Sequence, residues 1–268
     1  MRLDYGTLTS PYPIAMTIGT IRKPTLGEIA DPRVLGFETF GLYESFLAMT
    51  PEEYYTKIAK GDKAERWGSL SEEEKSSITM FAVIEQDEAL QKIYTQILQF
   101  FFEEPVVYQQ GFFIILNGNE SVEKKFSAEG IRGLITEESF HQIINILKQI
   151  CGMRIDEDEE DITQMKFKNK KARSIFERMQ KAKKVQQSEK GHNPDFSLPN
   201  IISAVCTRHN SINYTNVYQL TVYQLMDTFD RLRNDAFYEI SSTSVSVWGD
   251  EKKTFKSDAW YKNEYDKK

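Results

Sequence analysis

The sequence predicts a mainly α protein with a minor β element, built as two domains joined by a charged connector. Three observations carry that reading. Helix-start signals recur along the chain, as in Thr50-Pro51-Glu52-Glu53 and Ser71-Glu72-Glu73-Glu74. Apolar residues repeat at helical spacing over 87–102 and 137–152, while VVYQQGFFIIL concentrates strand formers about a glycine. Composition then changes abruptly, from the acidic DEDEED of 156–161 to a strongly basic stretch over 166–190.

In chain order, Leu3 to Ile21 reads as extended, because Pro11 and Pro13 oppose a regular helix and PIAMTIGTI alternates at a period near two. Pro24 and Thr25 open a short helix over TLGEIA, stopped at Asp31-Pro32, and FETFGLYESFLAM forms an amphipathic helix despite Gly41. Thr50, Pro51 and Glu53 supply an N-cap, a first-turn proline and a capping-box partner for a helix over 51–60. Ser71 and Glu74 repeat the device, and a helix is expected over SITMFAVIEQ. Leu90, Ile93, Tyr94, Ile97, Leu98 and Phe101 form one stripe of a helix from Asp87 to Phe102.

Glu104-Pro105 ends that helix, and VVYQQ with FFIIL reads as a β-hairpin turning near Gly111. Asn117-Gly118-Asn119 marks another turn, and SAEGIRGLI is expected to be helical. A helix from Glu137 ends at Gly152, with Phe140, Ile143, Ile144, Leu147 and Ile150 on one face. Ser197 and Pro199 start the next helix, HNSINYTN is a polar turn, and Thr221 caps a longer helix bearing Val222, Leu225, Met226, Phe229 and Leu232. VSVW looks strand-like, and DAWYKNEY suits a last helical turn. The expected boundaries are 1–155 for a mostly helical domain with an extended N-terminus and a hairpin; 156–196 for the acidic hinge, basic amphipathic helix and linker; and 197–268 for a helical C-terminal domain.

Composition narrows function. At 268 residues and 40% hydrophobic content the chain has material for a real core, and 28% charge keeps its surface soluble. Its 17 Phe and 13 Tyr favour either core packing or adhesive interfaces. A net charge of −6 disfavours general attraction to nucleic acid or anionic lipid. Two cysteines make no disulfide scaffold and fit a reducing compartment. MRLDYGTLTSPYPIAM lacks the apolar centre of a signal peptide, and FFIIL and ILQFFF are far too short to cross a bilayer, so the expectation is a cytoplasmic protein with no membrane partner.

Chemistry-bearing residues are sparse. Cys206 and His209, three apart, could share a helical face as a metal or thiolate–imidazole pair, but zinc needs further ligands that only distant Cys151 and His192 could supply. A buried cysteine and a helix-end histidine explain the pair as well. His141 lies one turn from Glu137 and Glu138, the pattern of a surface pair. DEDEED has oxygen ligands without the glycine and alternation of a calcium loop. Phosphate-loop, Gly-x-Ser-x-Gly, His-Glu-x-x-His and kinase motifs are missing. The expectation is a protein that is no enzyme and takes no metal or cofactor.

Two binding surfaces are expected instead. Phe100, Phe101 and Phe102, with Tyr108, Phe112 and Phe113 on the hairpin, are candidates for partner binding, since an exposed strand edge accepts an added strand; plain core packing is the competing explanation. In the basic segment, Lys166, Lys168, Lys170, Lys171, Arg173 and Arg178 are interrupted by Phe167, Ile175, Phe176 and Met179, which makes an amphipathic basic helix. Such a helix docks, captures a partner or lies on phosphates. A helix-turn-helix reading of 197–232 fails on Asp227, Asp230 and Asp235, which phosphates would repel.

IGTIRKPTLGEIADP, the charged hinge, LPNIISAVCTRH, VYQLTVYQLMDTFDRL, SVWGDEKKTF and WYKNEY together resemble proteins of the structural gene blocks of tailed bacteriophages and prophages. In layout the chain is most similar to tail assembly chaperones, although it is long for their short form. The resemblance implies a helical host-cytoplasmic protein that holds tail-tube and tape-measure polypeptides, and it carries over no catalytic residue. The alternatives are a virion tail or head–tail component, and a nucleic-acid-associated protein using the basic helix 166–190; self-association is a further expected partnership.

Overall fold

Capping chemistry sets most of the helix starts. The computed structural model describes residues 1–118, 130–153, 194–250 and 255–261, in two compact units, Met1–Met153 and Arg154–Lys268. The described residues are mainly helical, with two small antiparallel sheets. In the first unit α1 (Tyr5–Thr9) starts at Asp4, whose carboxylate accepts the Thr7 N–H. This corrects the extended reading of Leu3–Ile21, because the Asp4 cap lies ahead of the prolines that set it. The alternating residues do form a hairpin, β1 (Ile14–Met16) and β2 (Gly19–Ile21).

Capping boxes Thr25–Glu28 and Thr50–Glu53 open α2 (Leu26–Ala30) and α4 (Pro51–Glu53), which flank α3 (Phe37–Ala48). After α4 the chain passes into a π-helical turn, Tyr54–Ile58. Following α5 (Asp62–Ser69), Ser71 and Glu74 box α6 (Glu72–Ser77). The expected continuous helix over SITMFAVIEQ is broken, because Thr79 leaves the helix to cap α7 (Met80–Glu85) through the Ala82 N–H. Asp87 then caps α8 (Glu88–Phe101).

The hairpin is β3 (Val106–Gln109) with β4 (Phe112–Leu116), turned by Gln110 (φ 52°) and Gly111 (φ 83°). Two successive positive φ angles match the strand twist, and glycine accepts that conformation without strain. IRGLI, expected as helix, is instead β5 (Ile131–Ile135), with Ile114 opposite Leu134. Gly133 explains the outcome: a Cβ there would sit 2.5 Å from the Ile18 carbonyl oxygen, in the turn of the first hairpin. α9 (Glu137–Ile150) closes with Gly152 at φ 69°.

Phe140 of α9 is the aromatic hub of this unit, at 5.3 Å from Phe81, 5.6 Å from Tyr94 and 6.0 Å from Phe113. Polar contacts fix the periphery. Buried Glu104 accepts the Thr20 N–H and pairs with Arg132 at 2.5 Å. Buried Lys23 donates to the carbonyls of Thr7 and Ser10, at the end of α1. Gln149 of α9 accepts the Leu3 N–H and donates to the Met1 carbonyl.

In the second unit α10 (Leu198–Arg208) follows Ser197 and carries Pro199 in its first turn. Thr221, itself buried, and Gln224 form the capping box of α11 (Val222–Trp248). Ile201, Ile202, Val205, Val217, Val222 and Leu225 make the described core. VSVW is the last turn of α11 rather than a strand, stopped by Gly249 at φ 77°. A 3-10 turn, Ala259–Tyr261, lies beyond it.

Candidate functional site

The predicted aromatic patch divides between core and surface. Phe100, Phe101, Phe102 and Phe113 are buried, which corrects their placement on an accessible surface. The cause is the N-terminal hairpin. Ile21 bridges Phe102, Arg22 donates its backbone N–H to the Phe101 carbonyl at 2.8 Å, and Glu103 donates to Thr20 at 3.0 Å. The Arg22 guanidinium also lies 4.9 Å from the Phe100 ring, and its Nε donates to the Phe100 carbonyl. This three-residue aromatic run is therefore spent on internal packing.

On the three-stranded sheet, alternation separates neighbours. Phe113 and Tyr108 pair at 4.9 Å on the core side, with Tyr108 half-buried at the end of its strand. Phe112 points the other way and is 40% exposed. On that outer face it neighbours Ile114, whose cross-strand partner Leu134 is 43% exposed, and half-buried Val107. Of the six predicted aromatics, Phe112 is the one that is exposed. Leu134 was missed because its segment was read as helix.

The second unit exposes apolar surface that sequence periodicity did not single out. Phe237, Ile240, Val247 and Trp248 on α11 are 65, 68, 64 and 83% exposed. Trp260 and Tyr261, paired at 5.0 Å, are exposed as well. The heptad-like spacing was present in the sequence; the strand-like look of VSVW hid it. Lys166, Lys168, Lys170, Lys171, Arg173 and Arg178 lie outside the described residues, as do the acidic run and His192.

The titratable candidates have structural partners. His209 ends α10, and its Nδ1 accepts the backbone N–H groups of Ser211 (3.1 Å) and Ile212 (3.0 Å), which organises the following turn. Burial pushes the Cys206 thiol up. Cys151 is buried at the end of α9, and burial, helped by the Glu44 carboxylate, pushes its thiol well above the ordinary range. Both are thus thiols rather than thiolates near neutrality. Burial on α3 pushes the Glu44 carboxyl up to about 7. His141 meets Asn145 at 3.3 Å, and Glu137 accepts from the Thr79 hydroxyl. Among the described residues no three His, Cys, Asp or Glu side chains converge as a metal site, and no described helix is long and apolar enough to cross a membrane.

The family model described as YomV second domain matches residues 183–265, a span that includes α10 and α11. No curated protein and no solved structure matches the chain. The YomV family is phage- and prophage-associated, and the match supports a phage-related protein.

Proposed function

We propose that this protein is a non-enzymatic tail assembly chaperone. It holds tail-tube and tape-measure polypeptides in the host cytoplasm until they are built into a tail. One observation carries the binding role: on the outer sheet face Phe112 and Leu134 are part-exposed on either side of buried Ile114, next to half-buried Val107. An apolar sheet face with half-exposed large side chains at its rim suits a segment laid along it. Covering Phe112 and Leu134 contributes about 1 kcal/mol each at their present exposure, the modest grip a releasing chaperone needs. The phage context comes from the family match.

Co-expression with the tail-tube and tape-measure polypeptides of the same phage tests the proposal. A co-purifying complex is expected, and Phe112→Ser with Leu134→Ser should weaken it roughly thirtyfold, as expected for losing two contacts of about 1 kcal/mol each. Failure of the folded protein to retain either polypeptide would overturn it. Retention of DNA instead, with steep salt dependence, would favour the basic segment.

A further inference from the structure

Phe237, Ile240, Ser244 and Val247 recur along α11 at offsets of three, seven and ten, and Trp248 follows directly. At 3.6 residues per turn these positions share one helical face, and their spacing is that of alternating a and d positions in a heptad. All five are exposed.

Three features identify the occupant of this face. From Ile240 to Trp248 no residue is charged, so a like helix meets no like-charge repulsion there. The same run, ISSTSVSVW, is rich in Ser, Thr and β-branched residues, which are weak helix formers. It nonetheless stays helical to its glycine cap. A helix end of low propensity gains most from packing against another element. Finally, large side chains carry about 150–250 Å² each, so the four apolar residues leave on the order of 600 Å² open. Two copies meeting stripe to stripe would cover about 1,200 Å², the lower edge of specific interfaces.

We infer that α11 is a self-association helix, pairing with α11 of a second copy about a two-fold axis. Ser244 sits in the middle of the stripe, where its small side chain lets the two helices approach. Phe237 and Ile240 on one side of it, and Val247 and Trp248 on the other, supply the apolar contact. This surface is separate from the client face around Phe112, so the two readings fail independently.

Sedimentation of the full chain over a wide concentration range is the test. The expected result is a two-chain species that Ile240→Glu with Val247→Glu weakens by more than about tenfold, with far-UV circular dichroism and Phe112-dependent client capture unchanged. Mild oxidation should link Ser244→Cys chains into covalent dimers, whereas Ser246→Cys, on the opposite face, and the unaltered chain should stay unlinked. A single-chain mass at every concentration would overturn the inference. So would a dimer indifferent to the glutamate substitutions, or equal cross-linking from positions 244 and 246.

Discussion

The two units differ in where they place most of their large apolar side chains. In Met1–Met153 most of the described phenylalanines point inward: Phe81, Phe113 and Phe140 meet in one cluster with Tyr94, and Phe101 and Phe102 lie under the N-terminal hairpin, while Phe112 stays part-exposed on the sheet. In the second unit the described core is small and aliphatic, and the later turns of α11 hold Phe237, Ile240, Val247 and Trp248 out to solvent. Phe140 is thus buried core in one unit, whereas Phe237 is exposed surface in the other. What separates the cases is whether a second element arrives to cover the ring.

The sharpest way to break the contrast is to truncate one phenylalanine in each unit. Phe140→Ala should cost about 3–5 kcal/mol through lost contacts and a cavity, read as an early denaturant transition of the first unit. Phe237→Ala should move the stability of the isolated chain by less than about 0.5 kcal/mol. Equal losses would mean that the stripe on α11 is core. Next in size, Gly133→Ala drives a Cβ into the Ile18 backbone and should cost about 1–3 kcal/mol, seen as a lowered Tm. Unchanged stability would show that the first hairpin docks elsewhere.

Thr221→Ala removes the buried N-cap of α11 and should cost the second unit about 1 kcal/mol, measured by hydrogen exchange along α11. The first unit should be unaffected, which sharpens the division between the two.

The smallest effect is a pH dependence confined to the first unit. The Glu44 carboxyl titrates at about 7 in the fold against an ordinary value of 4.5. The native state therefore holds an extra proton between those values, and stability falls as pH rises through that window. Since Glu44 is only half-buried by surface exposure, Glu44→Gln should flatten the profile and add only about 1 kcal/mol near pH 8. Thermal melts across pH check it, and a Gln variant with the original slope would assign the dependence to another group.

Much of this architecture was legible in the residues because its causes are local. Thr25, Thr50, Ser71 and Thr221 set helix starts through side chains acting within one turn, and Gln110-Gly111 turned the hairpin as expected. The misreadings arose where local preference was overruled or divided. IRGLI became a strand because β4 and the Ile18 turn lay beside it. VSVW kept β-like chemistry yet continued the helix begun at Thr221.

The sequence by itself determined the mainly helical class, the capping positions and the hairpin, since these depend on neighbours along the chain. Only the tertiary structure decided which aromatics were available. Phe100 to Phe102 read as a sticky stripe until a hairpin about 80 residues away in sequence was found paired to their backbone, whereas Phe237 and Trp248 stay exposed. Exposure depends on what arrives from elsewhere in the chain, and periodicity alone carries no record of that.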